Sequence, residues 1–144
     1  MKEVKGNIWD YYDKGNWIVI TTNGTVKSNG ECVMGRGVAL EAKTRFPKLA
    51  KKLGDWIRHN GNIPGRFSDY KLFSFPVKHN WQEKADPKLI DETCKHLLGL
   101  VLGSTYTIYM VRPGCGNGHL LWKDVKPVLE RYLSDRFVVV NRYL

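Results

Sequence analysis

Cysteine is scarce in this chain. There are three in 144 residues, Cys32, Cys94 and Cys115, with no CxxC and no paired Cys/His spacing. An odd, scattered set of this kind argues against both a disulfide framework and structural zinc. No cofactor or metal is called for. Long apolar runs are missing too. None approaches the ~20 residues that a bilayer-crossing helix needs. Met1-Lys2-Glu3-Val4-Lys5 is followed by no apolar segment of signal-peptide type. The expectation is a cytoplasmic protein without membrane contact. Acidic residues are the third shortage: 14 against 23 Lys and Arg, a net charge of +9. Such a balance favours polyanion partners or an anionic ligand. The thickest basic stretch, Lys43 to Lys52, reads first as a solvated helix face and second as a weak nucleic-acid contact.

The length suits one domain, residues 1–144, with a sizeable core. Punctuation and periodicity then divide the chain. Val4 to Ile8 reads as a short edge strand leading into Trp9-Asp10-Tyr11-Tyr12. Trp17 to Ile20 is a compact β-branched run, too short for a helix. A long loop follows to Gly37, marked by Asn23-Gly24, Asn29-Gly30 and Gly35-Arg36-Gly37. Long ordered loops are usually functional. Val38 to Phe46 reads as a helix, and a further segment runs from Pro47 to about His59. Tyr70 to Phe75 is a strand that Pro76 ends. Pro87 suits the first turn of a helix to about Leu100. Tyr106 to Val111 is a strand, Trp122 to Leu133 an amphipathic helix, and Phe137 to Val140 the last strand. Strands alternating with helices give a mainly parallel sheet covered on both faces. Ligands of such sheets bind at the carboxyl ends of strands, where both glycine-rich loops, 23–37 and 114–120, emerge.

Gly114-Cys115-Gly116-Asn117-Gly118-His119-Leu120 is the most informative stretch. Three glycines within five residues admit a ligand close to the backbone. A helix start behind them would offer unpaired N–H groups to a phosphate. The plainer alternative is a tight strand-to-helix turn.

Three stretches taken together resemble a known family. They are Gly6-Asn7-Ile8-Trp9; Thr22-Asn23-Gly24 with Gly30 to Ala39 and Phe46-Pro47; and Pro113 to Gly118 with Leu120 and Trp122. Their order is similar to that of the macro domains, which bind ADP-ribose. Within them it looks most like the branch of terminal-ADP-ribose glycohydrolases and the antitoxin that removes ADP-ribose from DNA. Phe75-Pro76-Val77-Lys78-His79-Asn80-Trp81 adds to the likeness. The resemblance covers nearly the whole chain. It implies a three-layer α/β/α macro-domain fold around a central mixed, mainly parallel sheet. A compact protein of this type would belong to a bacterium or to a virus infecting one.

The resemblance also assigns roles. Gly114, Cys115, Gly116, Asn117 and Gly118 would give N–H groups to one phosphate. Met34, Gly35, Arg36, Gly37 and Val38 would serve the other. Asn23, beside Thr22, would lie at the distal ribose, where an amide both donates and accepts; a plain turn is the alternative. Asn7 stands where the family usually has an aspartate for the adenine amino group, so that contact is weaker; capping a turn is its other reading. Ile8 would serve adenine through its backbone. Tyr143 would stack on adenine or be an ordinary tyrosine. Lys78 is the position matching the catalytic lysine, to attack the anomeric carbon or to stabilise the leaving group. His119 and His79 are acid/base candidates, or plain loop histidines. Cys115 matches a small packing residue, although a helix terminus near it would lower its pKa. Trp81 stacks a nucleobase or caps the core. Trp122 is a core anchor.

Two positions depart from relatives within the family. Gly118 replaces an aspartate that one branch member pairs with the lysine. Ile20 replaces the histidine of some phosphatase-type members. The implied function is hydrolysis that removes ADP-ribose from a modified protein or nucleic acid. The alternatives are an ADP-ribose-1″-phosphate phosphatase, a binding module without chemistry, and a plain nucleic-acid binder.

Overall fold

The computed structural model describes residues 1–142. It contains β1 (Lys2–Lys5), α1 (Ile8–Asp13), β2 (Trp17–Asn23), α2 (Gly37–Arg45), α3 (Leu49–Asn60), β3 (Arg66–Phe67), β4 (Leu72–Lys78), α4 (Pro87–Leu100), β5 (Ile108–Met110), α5 (Trp122–Glu130) and β6 (Phe137–Asn141), with one 3-10 turn at Ser68–Tyr70. The six strands run in the order β1-β6-β5-β2-β4-β3. All neighbours are parallel except β3, which lies antiparallel to β4 at the edge.

Alternation along the strands splits the core into two layers. Ile18, Ile20 and Leu72 pack with α1, α2 and α3 through Ile8, Trp9, Val38, Ala42, Leu49 and Leu53. Val19, Phe73, Phe75, Ile108, Met110 and Phe137 pack on the other face with α4 and α5 through Ile90, Cys94, Leu97, Val125 and Leu129. The expected α/β/α layering is what the chain adopts.

Several element boundaries differ from those read in the sequence, among them β2, which runs on to Asn23, and β5, which covers only Ile108–Met110. The first strand ends at Lys5, and Ile8 to Asp13 is helical. Asn7 causes the switch, because its side chain accepts from Trp9 N at 3.0 Å and caps the new helix. Pro76 does not end β4, which continues to Lys78. The two-residue β3 pairs only with Leu72 and Phe73. Beyond it the outer side of β4 has no ladder, and a residue without an N–H is tolerated there. Instead the Pro76 carbonyl accepts from Thr93 Oγ1 at 2.8 Å. The last helix stops at Glu130 and not at Leu133.

The loop from Asn23 to Gly37 is ordered. Val26 and Cys32 form an isolated antiparallel bridge, and Cys32 N donates to Ala50 O of α3 at 2.9 Å. Gly54 permits this seating, since a β-carbon there would collide with the carbonyl of Gly30.

Candidate functional site

The carboxyl ends of β1, β6, β5, β2 and β4 open into one cleft of about 1310 Å³. Five strand ends at their usual spacing span roughly 19 Å. The cleft is therefore an elongated trough whose order follows the sheet. Asn7 and Ile8 lie at the β1 end. The loop Gly114 to His119 follows β5, and Asn23 with loop 34–38 follows β2. Lys78 closes the β4 end. Thr22, Met34, Gly35, Arg36, Gly37, Val38, Cys115, Gly116, Asn117 and Gly118 all line the same trough.

The two glycine loops meet in the middle. A β-carbon placed on Gly37 would lie 3.5 Å from Asn117 Nδ2. Gly37 has φ +58° and Gly114 φ +76°, conformations that favour glycine. The helix terminus facing the cleft belongs to α2. Its N-cap, Arg36, makes no side-chain cap bond. The N–H groups of Gly37, Val38 and Ala39 have no preceding helical turn to donate to. The helix after the second loop starts at Trp122, as read in the sequence, but that start stays outside the lining. That loop is closed by its own backbone, with Leu120 N donating to Gly114 O at 2.9 Å and His119 N to Gly116 O at 3.1 Å. Six cationic side chains, Lys27, Arg36, Lys78, Lys84, Arg112 and Arg142, line the trough against two carboxylates, Glu41 and Glu83. An anion is favoured there.

Asn23 and Lys78 are brought together by a β-bulge. The β2–β4 register pairs Thr22 with Pro76 and then Asn23 with Lys78. Val77 is the extra residue, so Lys78 stands opposite Asn23; bulges often re-aim side chains next to active sites. Gly24 makes room for this crossing, because a β-carbon there would lie 2.7 Å from His79 O. The Asn23 amide is partly committed. Its Nδ2 donates to Val33 O at 3.0 Å, and its Oδ1 accepts from Thr25 N at 2.9 Å. One N–H and one lone pair remain for a ligand. Lys78 is half-buried, and its Nζ donates to the Trp81 carbonyl at 3.4 Å.

Several readings change. His79 is not part of the lining; its Nε2 meets Asp86 Oδ2 at 2.8 Å. That contact holds the Asp86 carboxyl below its ordinary range and clamps the loop between them. His119 does line the cleft, exposed and with φ +62°. The Cys115 thiol is pushed up to about 11 by burial, against the lowering expected of a helix terminus. Gly118 is a steric requirement, since a β-carbon would collide with the Gly114 carbonyl and lie 2.7 Å from Ala85 Cβ. Ile20 is fully buried between β2 and its helices. Tyr143 lies outside the described residues. The basic stretch from Lys43 is largely neutralised, with Arg45–Asp13 at 2.8 Å, Lys51–Asp55 at 2.6 Å and Lys52–Asp69 at 2.9 Å. Among the described residues no cluster of His, Cys, Asp and Glu could hold a metal, and no helix is long and apolar enough to cross a membrane.

The rim cations Lys27, Lys84, Arg112 and Arg142 were not legible as site residues. Nothing in their local sequence sets them apart from the other basic positions.

A trough over the carboxyl ends of this six-stranded sheet, closed by two meeting glycine loops, is the architecture of the macrodomain fold. Among solved structures the chain is similar to the macrodomain of Thermus aquaticus DarG, with TM-score 0.75, 25% identity and coverage of 96% of this chain and 95% of that one. It also superposes on Thermosipho africanus DarTG in complex with ADP-ribose, with TM-score 0.73 and 18% identity over 98% of this chain and 42% of that one. In sequence it is 28% identical over 129 residues to the DNA ADP-ribosyl glycohydrolase of Mycobacterium tuberculosis. That match covers 80% of this chain and 36% of the relative, so the chain spans about a third of the curated protein's length. No family model matches the sequence.

Proposed function

We propose that this macrodomain removes ADP-ribose from DNA. The observation that carries the reading is the order of the trough: one end at Asn7 and Ile8, two N–H-rich loops meeting at Gly37 and Asn117, and Lys78 beside Asn23 at the far end. That order matches adenosine, diphosphate and distal ribose laid end to end. At Asn7 the side-chain oxygen already caps α1, so its remaining lone pair and the Ile8 backbone serve adenine. Loops 34–38 and 114–118 hold the diphosphate. The lining cations supply long-range attraction for the phosphates of a nucleic-acid substrate.

The reaction breaks the bond between the anomeric carbon of the distal ribose and a base nitrogen. Water supplies the oxygen that ends on the sugar, and a proton returns to the base. Lys78 is the group in position for this step. It acts as an amine that adds to the sugar before water does, or as a cation that favours departure of the base. The named activity of the Mycobacterium tuberculosis relative supports the reading.

Release of free ADP-ribose from an ADP-ribosylated oligonucleotide tests it. Lys78→Ala should reduce kcat at least a hundredfold while binding of free ADP-ribose persists. Borohydride trapping of a sugar on Lys78 would select the first route. A second reading draws on Gly118, which leaves no room for the acid that one branch pairs with the lysine. It predicts tight ADP-ribose binding with no product from any ADP-ribosylated substrate. The phosphatase reading gains nothing from Ile20, which lies in the core.

A further inference from the structure

The chain has five tryptophans, and four of them are spent on the fold. Trp9 and Trp56 pack into one core layer, Trp17 and Trp122 into the other. Trp9, Trp56 and Trp122 also place their indole N–H on Glu41, Ile63 O and Glu3. Trp17 stacks on Tyr106 with ring centroids 5.3 Å apart. Trp81 does none of this. It joins neither core layer and, among the described residues, has no indole hydrogen bond, no aromatic partner and no cation over its ring. It is 48% exposed and lines the trough at the β4 end, next to Lys78.

Its backbone, in contrast, is held on several sides. Trp81 N donates to Thr25 Oγ1 at 3.0 Å, and its carbonyl accepts from Lys78 Nζ at 3.4 Å. The flanking turn is closed by Gln82 N to Asn80 Oδ1 at 3.0 Å and by the His79–Asp86 pair at 2.8 Å. A large apolar ring left in water on an anchored backbone is a surface prepared for a flat partner. It lies past Lys78, at the opposite end from Asn7, where the group attached to the distal ribose must leave the trough. Lys84, exposed on the same loop and with no carboxylate partner among the described residues, is placed for a neighbouring phosphate.

We propose that the Trp81 indole is the stacking platform for the nucleobase that carries the ADP-ribose, and so a specificity-determining residue. This rests on the reading of the site as a DNA ADP-ribosyl hydrolase. Stacking one base on an aromatic ring is strong enough that its loss changes affinity by about tenfold to a hundredfold.

The test compares wild type, Trp81→Ala and Trp81→Phe on a single-stranded ADP-ribosylated oligonucleotide and on free ADP-ribose. The expected result is a rise in KM for the oligonucleotide of about tenfold or more in Trp81→Ala, with kcat changed little. Trp81→Phe should recover most of the loss, and calorimetric affinity for free ADP-ribose should stay within about twofold. An unchanged oligonucleotide KM in Trp81→Ala overturns the platform and leaves the hydrolase reading standing. Equal losses for oligonucleotide and free ADP-ribose overturn it as well, by making Trp81 part of the fold or of the nucleotide seat. A wild-type protein that binds ADP-ribose but neither binds nor hydrolyses the oligonucleotide overturns both.

Discussion

Asn117 Nδ2 stands 3.5 Å from the point where a β-carbon on Gly37 would lie. These residues belong to loops that three strands, β3, β4 and β5, separate in sequence, and both line the trough. The gap between them is where a diphosphate would be gripped from both sides.

Gly37→Ala tests that grip. At φ +58° an alanine is strained by roughly 1–2 kcal/mol, and its methyl group intrudes on the gap. The melting temperature should fall by a few degrees and the calorimetric Kd for ADP-ribose should rise about tenfold. An unchanged Kd would place the diphosphate elsewhere.

Gly118→Asp would install the acid that one branch of the resembling family carries. The structure predicts harm, not gain, because the new β-carbon meets the Gly114 carbonyl and Ala85. A destabilisation of about 2–3 kcal/mol is expected in urea melts, with no increase in turnover. Gly116→Ala is the control. Nothing lies within 4 Å of its would-be β-carbon, so its stability should stay within about 0.5 kcal/mol of wild type. Equal stabilities for the two variants would show that the loop is not folded in as described.

The alternation of strands and helices was legible because it is written in short apolar runs and in glycine and proline punctuation. That loops 23–37 and 114–120 leave strand carboxyl ends followed from that alternation, while the narrower stretches 34–38 and 114–118 came from the family resemblance. The errors share a cause: each depended on a specific contact that apolar patterning and punctuation do not show. Asn7 looked like a strand residue until its capping of Trp9 was visible. Pro76 looked like a strand end because the shortness of β3 is not written near it. His79 looked like an acid or base because Asp86 lies across a loop turn. The β-bulge at Val77, which sets Lys78 against Asn23, has no sequence signal.

Glu3 ties the first strand to the last helix and gives a pH dependence. Its carboxylate meets Lys126 Nζ at 2.6 Å and Trp122 Nε1 at 2.9 Å, with Arg112 at 3.8 Å. Lys126 chiefly, with Trp122 and Arg112, holds its pKa below the ordinary 4.5, against a smaller upward push from burial. A depressed carboxylate stabilises the folded state above the unfolded pKa, and that contribution is lost as pH falls through the lower folded value. Glu3→Gln should therefore cost about 1 kcal/mol near neutrality, and the gap to wild type should close as pH drops below 4.5. A gap independent of pH would assign the effect to packing.

Asn23 carries two roles that one pair of substitutions can separate. Its amide spans the first loop, from Thr25 N to Val33 O, while its carbonyl accepts from Cys32 Sγ at 3.6 Å. Asn23→Ala leaves a donor and an acceptor of the loop without their partner, at a cost of about 1–3 kcal/mol. Asn23→Asp keeps the acceptor for Thr25 but sets a carboxylate oxygen against the Val33 carbonyl, so it should be no better. If ordering the loop is the main role, both variants will speed amide hydrogen exchange across residues 24–37 and weaken ADP-ribose binding together. If contact with the distal ribose is the main role, exchange will be unchanged and only kcat/KM on the ADP-ribosylated oligonucleotide will fall. The committed geometry of both amide atoms favours the first outcome. Loss of turnover with a fully protected loop would reverse that assignment and make Asn23 a ligand of the sugar.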